Sequence, residues 1–526
     1  MHLNGHKELL LSVAILALLP STRLNAIPAF SRLYGTSCST CHVDFPKLND
    51  FGKSFKDAGF KFPKDDEQFL KIPPIMLGAP AQAQLWPNTI FPGTIPGLPP
   101  IGLRYNTYYQ QLSSNRNNFN QVLPPGTVGN FIPKSDFQPG YFSIFTAGNL
   151  GSDISFWADD DISVAGANAN GALGDAYIRF RNLSRFLKLP GNSLNLRIGQ
   201  FELDLPFSQA RSWNLSGWDI FSQSNIGVQN SVGQPENVNN GSSLANAADG
   251  LELSGGHIYQ GYHYSFAVFD QNTSKTYINP PNISPQNAVQ FNSDSNFKDL
   301  YGRVSYRFNL ERDKTSREGV QAAGTAGPRD HTYISLGTFG FYGRTMQNTS
   351  GALINGTPTV LTAREPFYRI GGDVNFNYRT FNVFGVYLAA HDHDLIPITA
   401  TGSAAPTSFA RGVPVTFSGG FAEADYLVYP WVMAIMRWDQ VKSTSDRVNF
   451  LSYSPSAPPA ASFFSPYGAT RNRITPGVQF LIHANIKASV EYQLRPQQIV
   501  RDPVSGVALT QPFRTNATVV ALEWVY

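Results

Sequence analysis

The only two cysteines of this 526-residue chain are Cys38 and Cys41, and His42 follows them directly. Residues Cys38-Ser39-Thr40-Cys41-His42 form a C-x-x-C-H run, the attachment signature of c-type haem. The chemistry accounts for the spacing. Each thiol adds to one vinyl group of the porphyrin, so two cysteines one short turn apart reach both vinyls. The next residue's imidazole then lies under the iron as its proximal ligand. A redox dithiol or half of a zinc site would use the same two thiols. The first wants a βαβ context, which is not visible here. The second wants two more ligands nearby, and His42 is the only one. One covalent haem c is therefore the expected cofactor, with Cys38 and Cys41 as thioether positions and His42 on the haem iron.

Other residues could extend this chemistry. Met76 is a candidate sixth ligand, since Met/His ligation raises a haem potential; it reads equally well as an ordinary apolar residue of a linker. Counting outwards from a tight turn at 378–381, Tyr387, Ala389, His391 and His393 share the lumen-facing phase of a strand, opposite Val386, Leu388 and Ala390. The run His391-Asp392-His393-Asp394 would then sit at an outer mouth. By the same counting Asp159 and Asp161 lie on the polar phase of the strand from Ile154, also near an end. Imidazole and carboxylate suit a divalent transition metal, so His391, His393, Asp159 and Asp161 are candidate metal contacts; a solvated rim with no ligand role is the plainer reading. No catalytic triad, phosphate loop or nucleotide fingerprint stands out, and no catalytic residue is assigned.

Three kinds of element must position these groups. Residues 1–26 carry Lys7, an apolar stretch from Leu9 to Leu19 and Leu24-Asn25-Ala26, the pattern of a secretory signal peptide. Residues 27–76 form a small haem module: Pro46 opens a helix, Leu48, Phe51, Phe55 and Ala58 recur at helical spacing, and Gly59 caps it. The apolar stripe should pack on the haem or on the first helix. At this size the module needs something to lean on. Residues 77–526 read as strands of alternating polarity. Leu300, Gly302, Val304, Tyr306, Phe308 and Leu310 oppose Tyr301, Arg303, Ser305, Arg307 and Asn309; Ile486, Ala488, Val490, Tyr492 and Leu494 oppose Asn485, Lys487, Ser489, Glu491, Gln493 and Arg495. Tight connections at 378–381 and 482–485 contrast with long ones at 222–247, 346–364 and 395–413. Thr518, Val520, Leu522, Trp524 and Tyr526 alternate up to a terminal aromatic. These features predict a mainly β chain: an outer-membrane antiparallel barrel of about 16 strands, with the small helical module as its plug.

Composition agrees. Charged residues are 15%, aromatics 13%, and Lys+Arg 40 against Asp+Glu 37 leaves a net charge of +3. That balance excludes a nucleic-acid-binding surface and a disordered chain, and suits a wall whose outer face meets lipid.

The run Ala29-Phe30-Ser31-Arg32, Gly35, Cys38-Ser39-Thr40-Cys41-His42, Phe45-Pro46-Lys47-Leu48-Asn49 and Phe51-Gly52 resembles the fused monohaem cytochrome–porins of the bacterial outer membrane. The best-known members are iron-oxidising cytochromes. The specific match covers about residues 26–62. The resemblance implies electron transfer from extracellular Fe(II), through one haem held by Cys38, Cys41 and His42, to a periplasmic cytochrome or other carrier. It also implies a module inside or beneath the barrel lumen. A diffusion porin with a structural or sensory haem, and a conduit carrying electrons outwards, are the alternatives.

Overall fold

The structure is a computed structural model. It describes residues 29–44 and 47–62, the short pair Ile75–Met76 with Thr94–Ile95, and, from residue 100, the barrel strands with their adjoining turns. Residues 1–28, Phe45, Pro46 and most of the longer connections lie outside the described residues.

Sixteen antiparallel strands close into a barrel. They are β1 Ile101–Leu112, β2 in two pieces (Ser135–Gln138 and Tyr141–Asn149), β3 Ile154–Ser163, β4 Ala172–Phe180, β5 Asn195–Phe201, β6 Ala248–His257, β7 Gln260–Asp270 and β8 Asp299–Asn309. The second half is β9 Tyr333–Ile354, β10 Thr357–Tyr378, β11 Phe381–Asp392, β12 Val415–Tyr429, β13 Val432–Ser443, β14 Thr470–His483, β15 Ile486–Gln498 and β16 Ala517–Val525. Both pieces of β2 pair with β1, at Tyr108↔Gln138 and Tyr105↔Phe142, so they form one interrupted stave. The last strand closes on the first from Ala517↔Leu112 to Val525↔Arg104. Closure leaves no free sheet edge, the condition for crossing a lipid layer with strands.

The two faces of the wall separate as the alternation predicts. On β8, Val304 is 59% exposed on the outside while Arg307 is 5% exposed within the lumen. On β15, Lys487, Ser489, Glu491, Gln493 and Arg495 are buried inside, and Val490, Tyr492 and Leu494 face out. Tight turns gather at one end: Tyr378 pairs with Phe381 across two residues, and Tyr429 with Val432. Outward aromatics ring that end, with Tyr429 on Trp431 at 5.9 Å and Trp524 beside Tyr526 at 6.0 Å. An apolar outer face, an aromatic girdle and tight turns at one end make the architecture of an outer-membrane barrel.

The connections differ from expectation in two places. Residues 346–364 are not a loop: β9 and β10 continue as one long ladder to Ile354↔Thr357. Within 395–413, Leu395–Ile398 pairs with Ser408–Arg411 as a small hairpin of its own.

The lumen is not a uniform polar channel. After β5 the chain turns inwards, and Leu203 joins a buried cluster with Phe201, Phe269, Phe341, Phe367 and Phe417 from the inner wall. Phe207 packs on Phe384 and Phe421. Tyr301 Oη donates to Asp204 O at 2.7 Å, and His263 Nε2 lies 2.8 Å from Asp204 Oδ2, so the segment is pinned across the lumen. This apolar lining overturns the phase expected for β11. Asn382, Phe384, Leu388, Ala390 and Asp392 are the buried, lumen-facing set, and Tyr387 is 61% exposed on the outside. Where the lumen is packed with apolar side chains, polarity no longer tells the two phases apart.

The wall assignment is testable at one position. Val304→Arg places a cation on the lipid face and is expected to lower the urea-unfolding stability of the vesicle-inserted barrel by about 2–4 kcal/mol. An unchanged stability would contradict the lipid-facing phase of β8.

Candidate functional site

The N-terminal segment is less helical than the sequence suggests. It holds two short helices, α1 Ala29–Tyr34 and α2 Asp50–Asp57, a tight turn at Cys38–Thr40, and a small ladder of His42–Asp44 with Lys47–Leu48. Helix α2 starts at Asp50 rather than at Pro46, because Asn49 caps it: Gly52 N donates to Asn49 Oδ1 at 2.8 Å. The same Asn49 ties the helix to the cysteine turn. Its Nδ2 donates to Thr40 O, and its backbone N to Cys41 O, both at 3.0 Å. The helix therefore sits directly on Cys41, and Gly52 is the residue that permits it. A Cβ there would lie 2.1 Å from Cys41 O. At the far end Gly59 takes φ +77°, the left-handed exit expected of a C-terminal glycine.

The segment's core is aromatic. Phe30 packs edge-on against Phe55 at 5.1 Å, Tyr34 stacks on Phe62 at 4.3 Å, and Phe51 meets Phe62 at 5.3 Å. The expected stripe on α2 thus packs on the first helix. It also reaches the barrel wall, where Phe60 lies 5.5 Å from Trp157.

Charged contacts seat this segment in the tight-turn end of the lumen. Lys47 Nζ donates to Asn382 Oδ1 at 2.7 Å and to Asp425 Oδ2 at 2.8 Å. Asp50 accepts both Nη groups of Arg307, at 2.7 and 2.5 Å. Asp57 lies 3.8 Å from Arg179 and 3.3 Å from His257. Arg181 donates to Ala58 O, and Arg32 donates to Ile101 O at 2.7 Å while lying over the Tyr526 ring. Burial opposes the charge on both plug residues, yet their partners win. Asp425 holds the Lys47 ammonium above its usual range, and Lys53 with Arg307 hold the Asp50 carboxyl below its own.

Between plug and wall lies a cavity of about 280 Å³. Cys38, Cys41 and His42 line it from the plug with Phe55 and Phe60; Phe145, Trp157, Tyr177 and Arg104 line it from the barrel. Both cysteines are free thiols. Burial raises the Cys38 thiol, and burial together with Cys38 pushes Cys41 up to about 12. Such thiols stay protonated at neutral pH, so they are poor nucleophiles and poor metal thiolates. Gly102 helps build the far wall: a Cβ there would stand 2.3 Å from the Phe145 ring, which stacks on Trp157 at 6.0 Å.

The other candidate residues are dispersed. Asp159 joins the cavity lining instead of an outer mouth, accepting from Trp157 Nε1 at 2.5 Å and from Asp175 N at 3.0 Å. The backbone of Asp161 continues β3, but its side chain lies outside the described residues, as does that of Met76, whose backbone pairs with Thr94. His391 points outwards, stacked on Tyr368 at 5.2 Å and 4.7 Å from the His393 ring. Asp392 takes the inner phase and accepts a hydrogen bond from Arg369. Among the described residues no three His, Cys, Asp or Glu side chains converge on one point. A second, charged chamber of about 290 Å³ lies between the plug and the in-folded segment, with Lys47, Arg197, Arg303 and Arg307 facing Glu202 and Asp204. Sequence reading missed this chamber, since its walls meet only on folding.

No protein-family model and no curated protein matches the chain. Solved structures similar to it include a porin and other outer-membrane proteins. An anion-selective porin from Comamonas acidovorans is 11% identical, covering 82% of this chain and 99% of its own at a TM-score of 0.43. Pseudomonas putida OprB is 9% identical, with 81% and 94% covered and a TM-score of 0.43. Salmonella typhi OmpF, in a daunomycin complex, is 10% identical, with 81% and 98% covered at 0.41. The chain's own strand closure and two-faced wall establish the barrel.

Docking of the plug should depend on pH at both extremes. Asp50, held low, contributes above the ordinary carboxylate value and loses its contribution as pH falls through its depressed value; Lys47, held high, contributes below the ordinary amine value and loses its contribution as pH rises through its raised one. Hydrogen exchange over residues 29–62 should thus show a broad plateau of protection between about pH 5 and 9. Protection should fall on both sides, and protection unchanged at low pH would exclude the Asp50–Arg307 seat. Separately, Gly52→Ala is expected to destabilise the segment by about 1–3 kcal/mol through overpacking on Cys41, seen as faster exchange confined to residues 29–62.

Proposed function

We propose that the chain is an outer-membrane c-type cytochrome barrel. Its lumen lodges one haem and passes electrons from an extracellular donor to a periplasmic carrier. The observation that carries this is the chamber between plug and wall. Cys38, Cys41 and His42 share one side of an aromatic cavity, which is the donor set and the dry surround that a covalent haem requires. When bound, such a group supplies one-electron transfer.

The chain's own residues account for the rest. The cysteine turn, clamped by Asn49, presents two protonated thiols to the same space. Thioether sulfurs are neutral, so burial that disfavours a thiolate suits them. Phe55, Phe60, Phe145 and Trp157 exclude water, and the ion pairs of Lys47, Asp50 and Asp57 hold the group against the barrel. Fe(II) as the electron donor is what the sequence resemblance implies. His391, His393 and Asp159 do not lie on one site, so the proposal does not depend on them as iron ligands. A leading segment that exports the chain belongs to the same reading.

The second reading is a diffusion porin, and the closed sixteen-stranded wall favours it. Two measurements separate the readings. The oxidised protein in nanodiscs, mixed with Fe(II), should develop the reduced-haem spectrum, and in planar bilayers it should conduct far less than an open porin. Steady large-conductance channels with no spectral change on adding Fe(II) would favour the porin.

A further inference from the structure

We propose that residues 185–189, an exposed apolar knuckle between β4 and β5, rest in the headgroup layer of the membrane leaflet at the tight-turn end, with phospholipid as their partner. The inference stands on the barrel alone and does not need the haem. Phe186 is 72% exposed and Leu187 62%, and Leu189 is exposed beside them. The turn that shows them is firmly built. Asn182, Lys188 and Asn192 all take left-handed backbone, with φ of +55°, +55° and +58°, which a lysine adopts only where the surrounding structure imposes it. Asn182 Oδ1 accepts from Ser184 Oγ at 2.8 Å and from Asn192 N at 3.1 Å, and Leu189 N donates to Ser184 O at 2.9 Å. A fixed turn that holds three large apolar side chains in the open marks a place where something docks.

Three features select lipid over protein as the occupant. The knuckle prolongs two staves whose outer faces already meet lipid: Ile178 pairs with Ile198, both exposed on the outer phase, and Phe180 pairs with Leu196 on the last rung. It stands at the end that carries the aromatic girdle of Tyr429, Trp431, Trp524 and Tyr526, where amphipathic rings sit at headgroup depth. Its charged members are cations alone, Arg185 and Lys188, and residues 183–191 contain no acid. Their alkyl stems lie along apolar surface while the heads suit an anionic headgroup layer. Arg185 is braced by Asp153 of the β2–β3 turn at 2.6 Å and lies over the Phe186 ring. The base of the knuckle touches the plug. Arg181 donates to Ala58 O, and Asn192 Nδ2 lies 3.1 Å from His257 Nδ1, which is 3.3 Å from Asp57 Oδ2. The leaflet contact and the seat of the plug therefore share one frame.

The test uses the full-length protein reconstituted in vesicles of phosphatidylethanolamine and phosphatidylglycerol, as the variant Phe186→p-benzoylphenylalanine. After irradiation its intact mass should rise by one phospholipid, at a yield comparable to that of Val304→p-benzoylphenylalanine on the lipid face of β8. Leu187→p-benzoylphenylalanine gives the same reading should the Phe186 variant fail to insert. A lipid adduct at Val304 with none at 186 or 187 overturns the proposal. So does an adduct of a second polypeptide in place of lipid when the same variants are irradiated in isolated outer membranes, which would make the knuckle a protein-docking surface.

Discussion

A sixteen-stranded wall closed by β16 on β1 encloses a lumen too wide for its own inward side chains to fill. That constraint governs everything inside. At the tight-turn end the space is taken by residues 29–62, and nearer the long connections by the in-folded segment after β5. Both inserts are held in the same way: a few charged or polar groups fix their position, and aromatic side chains fill the volume. Lys47 on Asp425 and Asp50 on Arg307 do for the plug what Tyr301 and His263 do for Asp204. Such buried pairs add little net stability but fix one seating over others, because a misplaced insert would strand charges inside the barrel.

The chamber that matters chemically exists only because two units meet. The plug supplies thiols and imidazole; the wall supplies Phe145, Trp157 and Arg104. Neither would form a closed cavity alone, and a segment of this size has too little surface to bury one. The glycines mark the closest approaches. Gly52 lets α2 rest on Cys41, and Gly102 makes room for Phe145.

Much of this was legible in the sequence, for identifiable reasons. The wall shows plainly wherever the lumen is polar, so the phases of 300–310 and 486–495 and the closing strand read correctly. β11 did not, because Leu388 and Ala390 face a packed apolar interior. The in-folded segment escaped notice for a related reason: Leu203, Leu205 and Phe207 alternate like a continuation of β5. The C-x-x-C-H run is visible by spacing alone, and folding brings Cys38, Cys41 and His42 to one cavity. Helix α2 starts later than the sequence suggests, since Pro46 is a familiar helix opener while Asn49 shows its capping role only once it bonds Gly52 and Thr40. Asp159 reads as a rim residue because sequence phase gives the face of a strand but not what is inserted opposite it. Pairings such as Lys47 with Asp425 join residues hundreds of positions apart and leave no local signature.

The proposed haem requires one covalent group on the cysteine turn, in the chamber between plug and wall. The most direct measurement is the intact mass of the purified mature chain, compared with that of its Cys38→Ala/Cys41→Ala variant. The expected result is a chain heavier than its sequence by one haem, with no thiol left to alkylate, and a variant at its bare sequence mass. A parent chain at its bare sequence mass with two alkylatable cysteines would contradict it.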